Sequence, residues 1–325
     1  MDYAFQAEGL VKTFGETTAL AGVDLAARPG TVLGVLGPNG AGKTTAVRIL
    51  ATLLQPDSGR ATVRGYDVVR DAPRVRELIG LTGQYASVDE DLTGKENLVL
   101  IGQLLNFRKK QAQERAAEML RRFELTDAAD QKVTGYSGGM RRRLDLAASL
   151  MGRPSVIYLD EPTTGLDPGK RGEVWRMIRS MTDGGGAVLL TTQYLEEADA
   201  LADDIVVIDH GKVIARGTAA ELKARVGGQT ISVRPKDQDR LREVSEIIGA
   251  VAGRPAETRG RDLVTVQVDG DAALNETVRR LEAAEIGVTE LSLRLPSLDE
   301  VFFALTGRHT DEHDKAQEEE EENAA

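Results

Sequence analysis

The sequence predicts an α/β chain: a parallel-sheet domain with an inserted helical subdomain, followed by a small α+β domain. Three observations lead there. The apolar run Thr31–Leu36 is followed by a glycine-rich stretch and then by the helix-favouring segment Thr44–Leu54, which stops before Pro56. Short apolar runs return at Val156–Leu159, Ala187–Thr191 and Ile205–Ile208, separated by segments of helical character. Beyond Gly227-Gly228 the pattern changes to strand-like Thr230–Arg234, Leu263–Val268 and Val288–Arg294, with helices expected at Asp239–Ile248 and Ala272–Ala284.

Taken in chain order, the first domain spans 1–226. Its inserted part runs over about 86–152, where Thr93 and Glu96 form a capping-box pattern and long helices are expected over Glu96–Leu105 and Lys109–Phe123. The second domain covers 229–308. Near its end Leu298, Val301, Phe302 and Leu305 recur at helical spacing, so Phe302 and Phe303 are expected to pack in a core or at a dimer contact. Residues 309–325 hold eight acidic residues and one lysine, including the Glu318–Glu322 run, and read as a disordered, solvated tail. The single tryptophan, Trp175, is expected to be buried on a helix.

Composition excludes several classes. With no cysteine, the chain has neither a disulfide framework nor a thiolate metal site, and a cytoplasmic setting is the default. No run of about 18 apolar residues is available to cross a bilayer, and the N-terminal Met1-Asp2-Tyr3-Ala4-Phe5-Gln6 lacks the regions of a secretory signal. A formal net charge of −11 disfavours a nucleic-acid partner.

The chemistry begins with Gly37-Pro38-Asn39-Gly40-Ala41-Gly42-Lys43-Thr44, which fits the phosphate-loop pattern G-x-x-x-x-G-K-[ST]. Glycines let successive backbone N–H groups turn toward one anion, and the following helix presents its positive end to the same place. Lys43 would reach the β- and γ-phosphates, and the Thr44 hydroxyl would bind Mg²⁺. Val156-Ile157-Tyr158-Leu159-Asp160-Glu161 supplies the second element such a site needs. Asp160, at the end of a strand apolar on both faces, is the candidate for the Mg²⁺ shell, and Glu161 for the general base that activates water. A further anion-binding turn is suggested by Ser137-Gly138-Gly139, a hydroxyl and bare N–H groups at the start of an expected helix.

With these motifs in order, the first 225 or so residues resemble the ATP-binding-cassette (ABC) family, whose nucleotide-binding domain has the P-loop NTPase fold. Gly37–Thr45, including Thr45, resembles the Walker A loop; Gln84 the Q-loop glutamine; Ser137-Gly138-Gly139 the signature motif; Asp160-Glu161 the Walker B pair; Gly165-Leu166-Asp167 the D-loop. Phe14, in Lys12-Thr13-Phe14-Gly15, stands where the family stacks an aromatic ring on adenine. The resemblance implies an ATPase that works as a head-to-tail homodimer, with each ATP sandwiched between the phosphate loop of one subunit and Ser137–Gly139 of the other. It implies a separate integral membrane permease as partner, a place at the cytoplasmic face of the membrane, and a Gln84 that contacts both the γ-phosphate and Mg²⁺.

The chain departs from the family where a switch histidine is usual: it reads Thr191-Thr192-Gln193-Tyr194. A glutamine can donate to the γ-phosphate but carries no charge. Hydrolysis is therefore expected to be slower or to lean more on Glu161, with Gln193 as a neutral catalytic donor. Thr191–Ala198, Gly83–Asp91, Ser137–Arg143 and Pro296–Gly307 are similar to the daunorubicin-resistance ATP-binding subunits, which energise efflux of antibiotics and other hydrophobic products. Two other classes stay open at this point. A non-transport cassette ATPase acting on ribosomes or DNA would carry a second cassette or a coiled-coil insert, and a nucleotide-sensing module would be supported by Gln193 alone.

Overall fold

The computed structural model describes residues 3–83, 88–225, 229–260, 262–268, 270, 272–294, 298 and 301–302. Gln84, the 309–325 tail, Phe303 and Leu305 lie outside the described residues. The chain divides into two compact units, one running through Ala219 and the other beginning at Ala220.

The first unit opens with an antiparallel sheet that the sequence reading does not anticipate. Strands β1 (Phe5–Phe14) and β2 (Thr17–Ala27) form a hairpin, and β1 also pairs with β4 (Ser58–Val63), which carries the short β5 (Tyr66–Asp67) at its other edge. Between β2 and β4 come β3 (Val32–Leu36) and helix α1 (Lys43–Leu50). Helix α2 (Ala72–Leu78) then leads into β6 (Ile79–Thr82).

The expected parallel sheet is present and has six strands among the described residues. Its remaining members are β7 (Val156–Asp160), β8 (Ala187–Thr192), β9 (Asp204–Asp209) and β10 (Lys212–Gly217), in the order β10-β9-β3-β8-β7-β6. All neighbours are parallel except the β9–β10 pair at the edge. Successive side chains of a strand point to opposite faces, and the burial follows that rule. Val156, Tyr158, Ala187 and Leu189 join the core shared with the antiparallel sheet and α1. Ile157, Leu159, Val188 and Leu190 join the core on the other side, built with the helices. The phenol ring of Tyr158 meets Phe5 edge-on, with centroids 5.9 Å apart, linking the two sheets.

Helices α3 (Gly94–Leu104), α4 (Lys109–Arg122) and α5 (Gly138–Ser149) make up the inserted helical part. The capping box is formed as expected: Thr93 Oγ1 accepts from Glu96 N at 3.1 Å, and Glu96 Oε2 accepts from Thr93 N at 2.8 Å. Leu98, Met119, Phe123 and Leu144 close the interior of this region. Helices α6 (Pro168–Thr182) and α7 (Leu195–Leu201) connect β7, β8 and β9, and α8 (Ala219–Arg225) follows β10.

The second unit is α+β, as expected. Strands β11 (Gln229–Pro235), β12 (Glu257–Arg259), β13 (Leu263–Val268) and β14 (Val288–Arg294) form an antiparallel sheet in the order β12-β13-β11-β14. Helices α9 (Leu241–Ala252) and α10 (Ala272–Ala283) contribute Val244, Ile248 and Leu281 to a core with Ile231, Val233, Val264 and Val266. Leu298, Val301 and Phe302 are buried.

Candidate active site

The parallel register builds the site. Leu36, the last residue of β3, lies beside Thr192 of β8, and Asp160 of β7 lies beside Thr191. The loops leaving β3, β7 and β8 therefore emerge together at the carboxyl ends of adjacent strands, where α/β sheets take their ligands. They line an open cleft of about 460 Å³ that includes Ala19, Pro38–Thr45, Glu161, Thr164 and Gln193.

The loop can follow this path only with glycine at two places. A Cβ on Gly37 would stand 2.2 Å from the Ile208 carbonyl oxygen. Gly42 has φ +106°, and a Cβ there would stand 2.3 Å from the Ala19 carbonyl oxygen. Gly42 is also the N-cap of α1, and no side chain caps that helix. Its first turn thus presents backbone donors and the helix's positive end to the cleft.

Lys43 is only 4% exposed. Its Nζ donates to the carbonyls of Gly37 at 2.7 Å and Pro38 at 3.1 Å, and lies 3.4 Å from Glu161 Oε1. Burial pulls the ammonium below its ordinary range, opposed by the carboxylates of Glu161 and Asp160. A phosphate at this ammonium would compete with Glu161 for it.

Asp160 and Glu161 are both buried, and a single threonine organises them. Thr191 Oγ1 lies 2.5 Å from Asp160 Oδ1, to which it donates, and accepts from Glu161 N at 3.1 Å. Glu161 N also donates to the Thr191 carbonyl at 3.1 Å. The backbone of Glu161 sits in the left-handed region, with φ 51°. For a residue with a side chain this conformation is strained by on the order of 1 kcal/mol or more, and such strain gathers at functional sites.

Mg²⁺ is a hard cation that takes one or two protein oxygens and fills its shell with water and phosphate. Thr44 Oγ1, on the cleft wall, lies 3.3 Å from Asp160 Oδ1, and the two oxygens fit that requirement. Among the described residues no cluster of three or more His, Cys, Asp or Glu side chains offers an all-protein cage.

The remaining residues are distributed unevenly. Gln193 is half-buried on the cleft wall. Phe14 ends β1, is half exposed, and is not on that wall; the Lys12 ammonium lies 5.6 Å from its ring. Ser137, Gly138 and Gly139 are not in this cleft either. Ser137 caps α5, accepting from Met140 N at 3.3 Å. A second cleft of about 450 Å³ lies beside it, lined by Gly138, Arg141, Arg142 and Asp145 together with Glu161, Thr164, Gly165 and Leu166. Glu161 and Thr164 border both clefts.

Sequence reasoning passed over Thr191, Thr164 and Glu197. The sequence places Thr191 at a strand end and at the start of the Thr191-Thr192-Gln193-Tyr194 segment, with no role of its own. A threonine closing a strand of Ala, Val and Leu is the signal, since a hydroxyl buried there needs partners. Glu197, buried on α7, accepts from Thr163 Oγ1 at 2.8 Å and from the indole N–H of Trp175 at 3.1 Å. Trp175 itself is half-buried on α6 rather than wholly enclosed.

Comparison with known proteins agrees with this geometry. The ABC transporter family model matches residues 20–164, and the model of the C-terminal domain of DrrA1-3-like ATP-binding proteins matches residues 217–306. The chain is 53% identical over 311 residues to the daunorubicin resistance ATP-binding protein DrrA2 of Streptomyces coeruleorubidus, covering 95% of this chain and 97% of that one. It is 48% identical over 326 residues to the daunorubicin/doxorubicin resistance ATP-binding protein DrrA of Streptomyces peucetius, covering 99% and 98%. Among solved structures, an ATP-binding cassette of an ABC transporter in its ADP conformation superposes with TM-score 0.62 at 27% identity, over 68% of this chain and 93% of that chain. The chain therefore belongs to the ATP-binding, ATP-hydrolysing subunits of ABC transporters, in their daunorubicin-resistance group.

Proposed function

We propose that this chain is the motor of an exporter. Two copies hold two ATP molecules between them at the cytoplasmic face of the membrane and drive a hydrophobic antibiotic or similar product outward through a separate integral membrane permease. The observation that carries this reading is the convergence of Lys43, Thr44, Asp160, Glu161 and Gln193 at the ends of three adjacent parallel strands. Relatives named for resistance to daunorubicin and doxorubicin support the class of cargo. Among the described residues no helix is long and apolar enough to cross a membrane, and the reading gives the pathway to the permease.

In this mechanism the backbone of Gly37–Thr45 and the Lys43 ammonium bind the β- and γ-phosphates. Thr44 and Asp160 would hold Mg²⁺, which neutralises charge on the phosphate oxygens. Glu161, released from Lys43 by the incoming phosphate, orients the attacking water and accepts its proton. Gln193 donates a hydrogen bond to the γ-phosphate as charge builds there. Phe14 offers its exposed ring to adenine, and Gln84 is assigned the contact between the γ-phosphate, Mg²⁺ and the helical part. Ser137–Gly139 serves the nucleotide of the second copy, which agrees with its absence from the lining of the phosphate cleft of its own chain.

The test is the solution mass of the Glu161→Gln protein with and without Mg-ATP. A shift from monomer to dimer only with ATP is expected. A monomer that binds ATP but never pairs, even with the permease present, would overturn the sandwich.

A further inference from the structure

The triplet Arg141-Arg142-Arg143 follows the glycine turn of α5, and its three side chains go to different places. Arg141 pairs with Glu90 at 2.9 Å and donates to the Thr134 carbonyl at 3.2 Å; Arg143 pairs with Glu124 at 3.4 Å. Both stay within the helical part. Arg142 reaches the sheet instead. Its Nε donates to the Pro162 carbonyl at 2.5 Å, Nη1 to the Gly83 carbonyl at 3.1 Å, and Nη2 to the Glu161 carbonyl at 3.2 Å.

These acceptors come from two strand ends. Glu161 and Pro162 follow β7, and Gly83 follows β6 and directly precedes Gln84. A guanidinium suits the task because its N–H donors are fixed in one plane and diverge, so that one side chain can hold several carbonyls at once. An ammonium presents a point charge on a flexible stem and cannot span them. Burial pulls the Arg142 group below its ordinary value, while the carboxylates of Asp145, Glu197 and Asp160 hold it charged.

The contact with Glu161 matters most. Its left-handed backbone is a strained conformation that only surrounding bonds can keep. Thr191 holds the amide side and Arg142 holds the carbonyl side. We infer that Arg142 is a positioning residue for hydrolysis: it fixes the direction of the Glu161 carboxylate through the backbone of Glu161-Pro162. Because Arg142 rides on the helix that begins at Ser137–Gly139, it also ties that direction to the turn that meets the other subunit's nucleotide. This second part rests on the two-nucleotide sandwich proposed above.

The experiment compares full-length wild type, Arg142→Lys, Glu161→Gln and the double variant. Arg142→Lys is expected to lower kcat about 10–100-fold, the scale of a misplacement of roughly 1 Å at a reacting group. Mg-ATP affinity should stay near wild type, and the melting temperature should fall by only a few degrees through loss of the carbonyl contacts. The double variant should be scarcely slower than Glu161→Gln alone, since groups that act as a unit do not lose rate independently. A folded Arg142→Lys protein with wild-type kcat overturns the inference, as do losses that multiply in the double variant. Should Arg142→Lys fail to fold, Arg142→Gln, which keeps one amide donor group, is scored by the same criteria. Failure of the sandwich shows separately, as a Glu161→Gln protein that stays monomeric with ATP while Arg142→Lys still loses rate.

Discussion

The two helix starts that carry glycine turns, Gly37–Lys43 before α1 and Ser137–Gly139 at α5, differ in one respect that separates their roles. Helix α1 begins at an uncapped glycine, and its cleft is lined by a buried lysine and the buried Glu161 carboxylate. Helix α5 begins at a serine whose hydroxyl already accepts from Met140 N, and Ser137 and Gly138 stand exposed. A helix end supported by its own serine is stable without a ligand. One without a side-chain cap, set in a cleft with a buried ammonium, is completed by an anion. On the proposed function, the α5 start meets the other subunit's nucleotide and the α1 start holds its own.

Lys43→Ala tests that contrast most severely. Removing the buried ammonium should weaken ATP binding by at least ~10², the scale of truncating a desolvated charge pair. Titration of the variant with ATP checks it; unchanged affinity would mean the two helix starts are not distinguished in this way. Glu161→Gln sharpens the same side of the comparison. ATP binding should persist while turnover falls ~10²–10³, as for loss of a general base. A steady-state rate equal to wild type removes Glu161 from catalysis.

At the other helix start the effect is smaller. Ser137→Ala deletes the cap and should reduce stability by about 1 kcal/mol, a fall of roughly 2–4 °C in melting temperature for a unit of this size. ATP binding to the isolated subunit should be unaffected. A large loss of affinity there would mean that Ser137 serves the nucleotide of its own chain.

The smallest effect concerns Glu197, buried on α7 and bonded to Thr163 and Trp175. Burial raises its pKa, against hydrogen bonds from threonine and tryptophan and the nearby Arg142 charge. A carboxyl that binds its proton more tightly when folded favours the folded state at low pH. That contribution is lost as pH rises from the ordinary glutamate range through the raised value. Glu197→Gln keeps an acceptor for Thr163 and Trp175 but has nothing to ionise. Its melting temperature should therefore gain on wild type as pH is raised from about 4 toward neutrality. Parallel curves would show that the charge is fully compensated where it lies.

Much of this was legible in the sequence because it rests on local rules. The alternating buried faces of β7 and β8, the glycines of the phosphate loop and the Thr93–Glu96 box each depend on neighbours within a few residues. Thr191 and Arg142 were not legible in the same way. Their roles come from partners 31 residues away on Asp160 and 59 residues away at Gly83, which only strand order brings together. The N-terminal antiparallel sheet escaped for a related reason. Its strands β1 and β4 are separated by the whole β3–α1 unit, and their pairing leaves no local mark.

The bond between Trp175 and Glu197 also makes the protein its own optical probe. With one tryptophan in the chain, emission on selective excitation arises from a single indole. That indole lies on the helix following the D-loop and donates to a carboxylate on the helix following Gln193. Any shift of one helix against the other changes the polarity the ring senses. Stopped-flow mixing with ATP can therefore test for such a shift without attaching a dye.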